Sequence, residues 1–346
     1  MLWRSDDTSG PGGFRPDDGF RPAAKPGMLE PWEGWREPPT PTAASSGGAA
    51  VAVAPHVVEM LSVTNDSSPY LFYEATLPHE VAAGAHELSL PTMNAQAFSV
   101  FVDGALQADV WGADQAGPSV LTLKASIATA RRGAKLSVLA VSLGVPNYYG
   151  PSTAVWKGLR QIGAGDEGPP LLDGRPMAGD GWRWVMRPRL QGEWLGAPTR
   201  DPDKAVKWTA AAAEARAPLT WYRSAFATPP NATAGGVGGV GGVGGVGGVG
   251  VHLNLSGFSR GHAWVNGHNL GRMWNISGSC SPPGEWDTFC EDWEDDECDA
   301  PTQSLYHVPP DWLVHPAGSS NLLVVFDELG ATDLSLPSVS VRTLNP

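Results

Sequence analysis

The feature that most limits how this chain can fold is its punctuation. From residue 57 onward, short runs of β-branched and aromatic residues alternate with Gly, Pro, Asn and Asp at an interval too tight for helices. Runs at 57–63, 70–77, 86–90, 98–102, 120–123 and 136–143 read as six strands of one β-sandwich that closes near Gly150. Asp103-Gly104 between two apolar runs is a hairpin signal, because glycine tolerates the positive φ that a two-residue turn demands. After a Gly- and Pro-rich stretch at 163–180, runs at 182–188, 221–226, 251–255, 263–265 and 322–326 read as a second sandwich. The one helix candidate, the Ala-rich run 203–217, is too short and isolated to imply alternating strands and helices.

Composition supports this reading. The 346 residues, 42% of them hydrophobic, have room for two buried cores, and 43 Gly with 32 Pro favour many short strands over long helices. The expected fold class is all-β: two β-sandwiches, over residues 56–165 and 166–346. Residues 1–55 lack any apolar period and read as a disordered lead. Trp3, Trp32 and Trp35 stand out there, either as stray aromatics or as residues that pack on another domain. The Gly-Gly-Val repeat at 235–251 offers neither a strand face nor a helix face, and reads as a flexible loop insertion.

A net charge of −13 and no basic stripe argue against nucleic acid as a partner. They also argue against an anionic membrane surface. No apolar run approaches the roughly 20 residues that span a bilayer. The start, residues 1–15, is polar and acidic where a signal peptide is apolar. Acceptor triplets nevertheless begin at Asn65, Asn231, Asn254 and Asn275, and Cys280, Cys290 and Cys298 cluster as a loop staple would in an oxidising compartment. Secretory marks without a leader are what a fragment or an incomplete gene model would display.

One segment is specific. Gly261-His262-Ala263-Trp264-Val265-Asn266-Gly267-His268-Asn269-Leu270-Gly271-Arg272-Met273-Trp274 resembles the G-x-x-W-V-N-G-x-x-L-G-R-x-W signature of β-galactosidases of glycoside hydrolase family 35, of the plant or algal type. Gln303-Ser304-Leu305-Tyr306-His307-Val308-Pro309 with Trp312-Leu313 is similar to that family's Q-x-x-Y-H-V-P-x-x-W-L run. Asn321-Leu322-Leu323-Val324-Val325-Phe326-Asp327-Glu328 resembles its N-x-L-V-V-F-E-E run. Weaker likenesses at Thr220-Trp221-Tyr222-Arg223, Tyr70-Leu71-Phe72-Tyr73, Val100-Phe101-Val102-Asp103-Gly104 and residues 139–147 extend the resemblance over residues 57–340.

The resemblance implies that both sandwiches are jelly-roll, galactose-binding-like folds, and it implies terminal β-galactoside hydrolysis, a secretory location and a catalytic (β/α)8 barrel normally in the same chain, with two glutamates that work by a retaining mechanism. Such a barrel takes roughly 250 residues, nothing before residue 57 supplies it, and neither glutamate motif is matched. No catalytic residue is therefore carried over, and the expectation is an accessory region inactive alone, with no cofactor and no metal. The family usually has more cysteines in this loop, which leaves open whether Cys290 or Cys280 joins Cys298.

On residue chemistry alone, the strongest motif is a hairpin turning at Asn266-Gly267. Trp264, Asn266, Arg272 and Trp274 are candidate carbohydrate contacts, since an indole stacks on sugar C–H faces while Asn or Arg bonds hydroxyls. The alternative is that both tryptophans are core and Asn266 serves only its turn. The acidic segment 285–299 reads as a solvated loop, lacking the ligand alternation and central glycine of an EF-hand. His307 reads as packed or capping at a strand end. The rival to an accessory region is a free-standing carbohydrate-binding module, suggested by 15 Trp against 6 Tyr and possible contact with galactose-containing glycans.

Overall fold

The computed structural model describes residues 20–22, 29–39, 52–77, 81–93, 96–112, 118–127, 133–144, 156–159, 168–179, 181–199, 206–211, 217–230, 249–275 and 303–344. Among them strands dominate, and helix is confined to short turns. The protein is all-β, as the spacing of strands and turns predicts. In chain order the elements begin with β1 (Phe20–Pro22), β2 (Glu33–Arg36), β3 (Ala52–Ala54), helix α1 (Met60–Thr64) and β4 (Tyr70–Thr76). Then come β5 (Gly84–Met93), β6 (Gln96–Val102), β7 (Ala105–Gly112), β8 (Pro118–Ile127) and β9 (Lys135–Ser142). The hairpin strands β10 (Leu171–Leu172) and β11 (Arg175–Pro176) precede β12 (Trp184–Pro188), helix α2 (Gln191–Trp194) and β13 (Thr209–Ala210). The chain finishes with β14 (Thr220–Ala227), β15 (Val249–Asn254), β16 (Arg260–Val265), β17 (His268–Trp274), β18 (Leu305–Val308), β19 (Ser320–Asp327) and β20 (Ser338–Leu344).

Two compact units result. The first is Glu37–Leu195; the second joins Met1–Arg36 to Gly196–Pro346. In the first, a six-stranded sheet ordered β3-β12-β4-β9-β6-β7 accompanies a four-stranded sheet ordered β11-β10-β5-β8. Alternation along β4, β6 and β9 sends Leu71, Tyr73, Phe98, Val100, Val138 and Ala140 into a core with Leu88 and Leu90 of β5. Each Leu, Val or Phe so buried contributes about 1.5–3 kcal/mol relative to exposure. In the second unit, the six-stranded order is β13-β2-β14-β19-β16-β17 and the four-stranded order β1-β20-β15-β18. Its core packs Tyr222, Phe226, Leu323 and Val325 with Val251, Leu253, Val308 and Val339. The units repeat one topology: β4-β9-β6-β7 corresponds to β14-β19-β16-β17, and β10-β5-β8 to β20-β15-β18.

Several expectations are corrected. The strand expected over 57–63 gives way to α1, because the Glu59 carboxylate accepts from the N–H groups of Leu61 (2.9 Å) and Ser62 (2.8 Å), and Asn65 closes the helix in the left-handed region. The run 182–188, assigned by spacing to the second sandwich, is β12 of the first. It pairs with β4, and Trp184 and Met186 fill that unit's core while the Trp184 indole N–H donates to Met177 O at 2.7 Å. The first unit therefore runs on through the β10–β11 hairpin to Leu195, past the expected boundary at residue 165.

The lead also contributes strands. β2 pairs with β14, setting Trp35 opposite Trp221, and β3 pairs with β12. Trp32 packs edge-on against Phe258 at 5.2 Å, so it belongs to this chain's own second core. Trp3 lies outside the described residues. Within the helix candidate 203–217, Thr209 and Ala210 are extended and pair with β2, while residues 203–205 and 212–216 lie outside the described set.

Candidate functional site

The hairpin singled out by sequence is β16–β17. Asn266 and Gly267 turn it with φ of 49° and 86°, the left-handed pair of a type I′ turn, and a bulge falls between Ala263 and Trp264. Asn266 does more than turn. Its backbone N–H donates to Leu322 O, and its Oδ1 accepts from the Leu322 N–H, both at 2.9 Å. Its Nδ2 donates to Trp312 O at 2.8 Å and Asn321 Oδ1 at 2.9 Å. Asn321, itself buried, passes the network on to the Thr228 hydroxyl and to the Val314 N–H, each at 2.8 Å.

At the end of the hairpin away from the turn lies a charge cluster. Arg260 Nε donates to Glu328 Oε2 at 2.5 Å, both side chains being fully buried, and Arg272 Nη1 donates to Glu328 Oε1 at 3.1 Å. Burial alone would raise the Glu328 carboxyl; the charges of Arg272 and Arg260 outweigh it and hold the group at about 2. Its neighbour Asp327 meets no such cation among the described residues. Burial lifts it to about 6, although it accepts from the Ser259 hydroxyl and from the N–H groups of Ser259, Leu329 and Gly330. His262 stands opposite Arg272 in register, and burial followed by the Arg272 charge lowers it to about 4 against the opposing pull of Glu328 and Asn269.

Two carboxyls with pKa values pushed apart suggest a glycosidase acid and nucleophile. Here they cannot act as one. Asp327 and Glu328 are consecutive, each is fully enclosed, and their oxygens are committed to different partners, so no glycosidic bond can lie between them. Among the described residues no group of three or more His, Cys, Asp or Glu is placed to hold a metal ion.

The candidate sugar contacts separate on inspection. Trp264 is 6% exposed and stacks on Trp221 with ring centres 5.3 Å apart, leaving no open face. Asn266 spends its side chain on Leu322, Trp312 and Asn321, and Arg272 reaches Glu328. Trp274 is half-buried, its ring 5.7 Å from the Arg260 guanidinium carbon. What the hairpin tip does present is His268, exposed and stacked on Trp312 at 4.9 Å and 13°, beside exposed Asn269. Sequence reasoning missed that pair, although Trp312 lies in one of the recognised runs.

Of the acceptor asparagines, Asn65 is exposed. Asn254 accepts from the Ser256 N–H (3.0 Å) and hydroxyl (2.7 Å), and Asn275 Nδ2 donates to Leu255 O and Phe258 O. Asn231, Cys280, Cys290, Cys298 and residues 235–248 lie outside the described residues.

Among solved structures, the chain is matched to the ligand-free lectin of Pleurotus ostreatus at 12% identity, covering 94% of this chain and 80% of the lectin with a TM-score of 0.17. It is matched to a Bifidobacterium dentium β-glucuronidase complexed with coumarin-3-O-glucuronide at 12% identity, covering 72% of this chain and 40% of that enzyme with a TM-score of 0.18. An anti-sigma factor domain-containing protein matches at 8% identity, covering 92% of this chain and 97% of that one with a TM-score of 0.20. Superpositions this poor carry no inference. The sequence of residues 219–319, from the entry of β14 through the hairpin and past Trp312, matches the family model of the β-galactosidase galactose-binding domain.

Proposed function

We propose that this chain is the accessory, non-catalytic region of a β-galactosidase of glycoside hydrolase family 35, of the plant or algal type, and that it buttresses a (β/α)8 barrel normally carried in the same polypeptide. One observation carries the reading: within the matched segment 219–319 and the strand β19 that pairs with it, the side chains of Asn266 and Arg272 in the signature hairpin are directed to protein partners. A surface whose Asn and Arg are consumed by the fold supports a neighbour better than it grips a sugar. The family's reaction, hydrolysis of terminal β-galactosides, then belongs to the whole enzyme.

The test is hydrolysis of a chromogenic β-galactoside by the purified chain. No turnover is expected; turnover that survives stringent purification overturns the reading. The second reading, a carbohydrate-binding module, draws on exposed His268 stacked on half-buried Trp312 beside exposed Asn269. Calorimetric titration with galactose and β-galactan oligosaccharides separates the two, since saturable binding lost in His268→Ala favours the module. A secretory location accompanies both readings. Exposed Asn65 is the acceptor that glycosidase-sensitive mass analysis of the secreted protein would find modified.

A further inference from the structure

Two histidines face each other on the outer side of the second unit's four-stranded sheet. Alternation along β15 buries Val251 and Leu253 and turns His252 outward; along β18 it buries Tyr306 and Val308 and leaves His307 exposed. His252 and His307 are direct partners in the antiparallel register. Their ring centres are 5.4 Å apart and their planes cross at 67°. His307 is therefore not the packed or capping residue its motif suggested.

That spacing is what a shared ion requires. With metal–nitrogen bonds of about 2.0–2.1 Å, roughly 1.1 Å more from nitrogen to ring centre, and a tetrahedral angle, two imidazoles on one ion have centres about 5 Å apart. The floor beneath them is open as well. A Cβ on Gly250 would lie 2.8 Å from His252 Cε1 and 3.6 Å from His307 Cδ2, so both rings converge over the last glycine of the Gly-Gly-Val tract. Ser340 of β20 is the neighbour of His252 on the other side and adds no charge to the pair.

We propose that His252 and His307 form a two-imidazole chelate for a borderline transition-metal dication such as Zn²⁺, Ni²⁺ or Cu²⁺, with water completing the coordination. Neutral imidazole nitrogens suit these ions and not Ca²⁺ or Mg²⁺, which require oxygen donors. The chelate clips β18, an edge strand of its sheet, to β15, the strand that receives the end of the glycine tract.

The test is calorimetric titration of Ni²⁺ at pH 7.5 into the EDTA-dialysed full chain with its free cysteines alkylated. One site is expected whose affinity falls about tenfold or more in His252→Ala and in His307→Ala alike, because losing one of two tethered ligands forfeits their effective concentration. Gly250→Ala, which keeps both imidazoles but fills the floor, is expected to weaken the same site. Affinity within about twofold of the unsubstituted chain in either histidine variant overturns the proposal and leaves a cross-strand contact. Should the variants fail to fold, footprinting of the unsubstituted chain with a histidine-acylating reagent decides. Ni²⁺ protection of His307 supports the chelate; equal modification with and without Ni²⁺ refutes it.

Discussion

Two hairpins in this protein, one in each unit, are built on the same turn and differ in what one side-chain atom does. β6 and β7 join through Asp103-Gly104 at φ of 48° and 84°; β16 and β17 join through Asn266-Gly267 at 49° and 86°. In both, the first turn residue extends the ladder of the neighbouring strand with its backbone N–H and a side-chain oxygen. Asp103 pairs so with Lys135 at 2.8 and 3.0 Å, and Asn266 with Leu322 at 2.9 Å twice. A bulge precedes each turn, at Val100/Phe101 and at Ala263/Trp264. The second hairpin adds the Asn266 Nδ2 bonds to Trp312 and Asn321, which fasten its tip to the segment before β19 and to β19 itself. Any residue with an acceptor oxygen and access to positive φ can make the turn, whereas only the amide can make the attachment.

The contrast is sharpest in the charges. Glu74 of the first unit pairs with one arginine, Arg187 Nε at 3.1 Å, with side chains 15% and 13% exposed. Burial prevails and raises its carboxyl despite the pair. Glu328 of the second unit has two arginines, and the sign reverses. Glu328→Ala leaves Arg260 enclosed without the carboxylate that neutralises it, and should cost about 3–5 kcal/mol in urea unfolding. Glu74→Ala, which removes one partner of a single, slightly exposed pair, should cost less, about 1–3 kcal/mol. Equal losses would break the comparison.

Next in size is a pair of opposing pH effects beside that cluster. His262, lowered to about 4, stabilises above its ordinary 6.5, and that stability is lost as pH falls from 6.5 to 4. Asp327, raised to about 6, does the reverse: its contribution is complete below 3.8 and lost as pH rises through 6. Each shift corresponds to roughly 3 kcal/mol, in opposite directions over nearly one window. Relative to the unsubstituted protein, His262→Asn should gain stability between pH 6.5 and 4.5 and Asp327→Asn should lose it. Urea midpoints at those two pH values check both, and shifts of the same sign would contradict the assigned environments.

Exchanging the turn residues themselves gives a smaller effect. Asn266→Asp removes both donated bonds and sets a carboxylate against Trp312 O and Asn321 Oδ1, and should cost about 2 kcal/mol. Asp103→Asn keeps the oxygen that accepts from Lys135 and should change stability by less than about 0.5 kcal/mol. Comparable costs would mean that the tip attachment contributes nothing.

These differences mark where the sequence stops being informative. Asp-Gly and Asn-Gly between apolar runs predict both turns because the φ requirement is local. The partners of Asn266 lie 46 and 55 residues away, and no local pattern announces them. Period-two alternation located β4, β6, β9, β14 and β19, yet it could not say which sheet β12 joins, since Trp184 and Met186 would fill either core equally well. Glu59 overrode the strand pattern of 57–63 by capping α1, and its other bond, accepting the Lys157 N–H at 2.7 Å, comes from residues distant in sequence. Of the Arg260–Glu328–Arg272 cluster, Arg272 and Glu328 fall in separate recognised motifs and Arg260 just outside the first. The His268–Trp312 and His252–His307 pairs join residues of different runs: strand register brings the two histidines together, and the helical turn Pro310–Trp312 brings Trp312 to His268.

The smallest expected difference between the two hairpins is the control for all the others. Gly104 and Gly267 hold the second turn position at nearly the same positive φ. A Cβ at Gly104 would meet Pro39 Cγ, and one at Gly267 would meet Pro198 O, each no closer than 3.6 Å. Space is therefore not limiting at either site, and alanine pays only for the left-handed backbone, about 1–2 kcal/mol. Gly104→Ala and Gly267→Ala should then shift the urea midpoint by the same amount, within about 0.5 kcal/mol of one another. If they match while Asp103→Asn and Asn266→Asp do not, the turns are equivalent as backbone, and the excess cost at Asn266 belongs to its amide. If Gly267→Ala proves much the worse, the tip loop resists small backbone shifts, and part of the cost assigned to the Asn266 amide would instead be strain spread through residues 310–314.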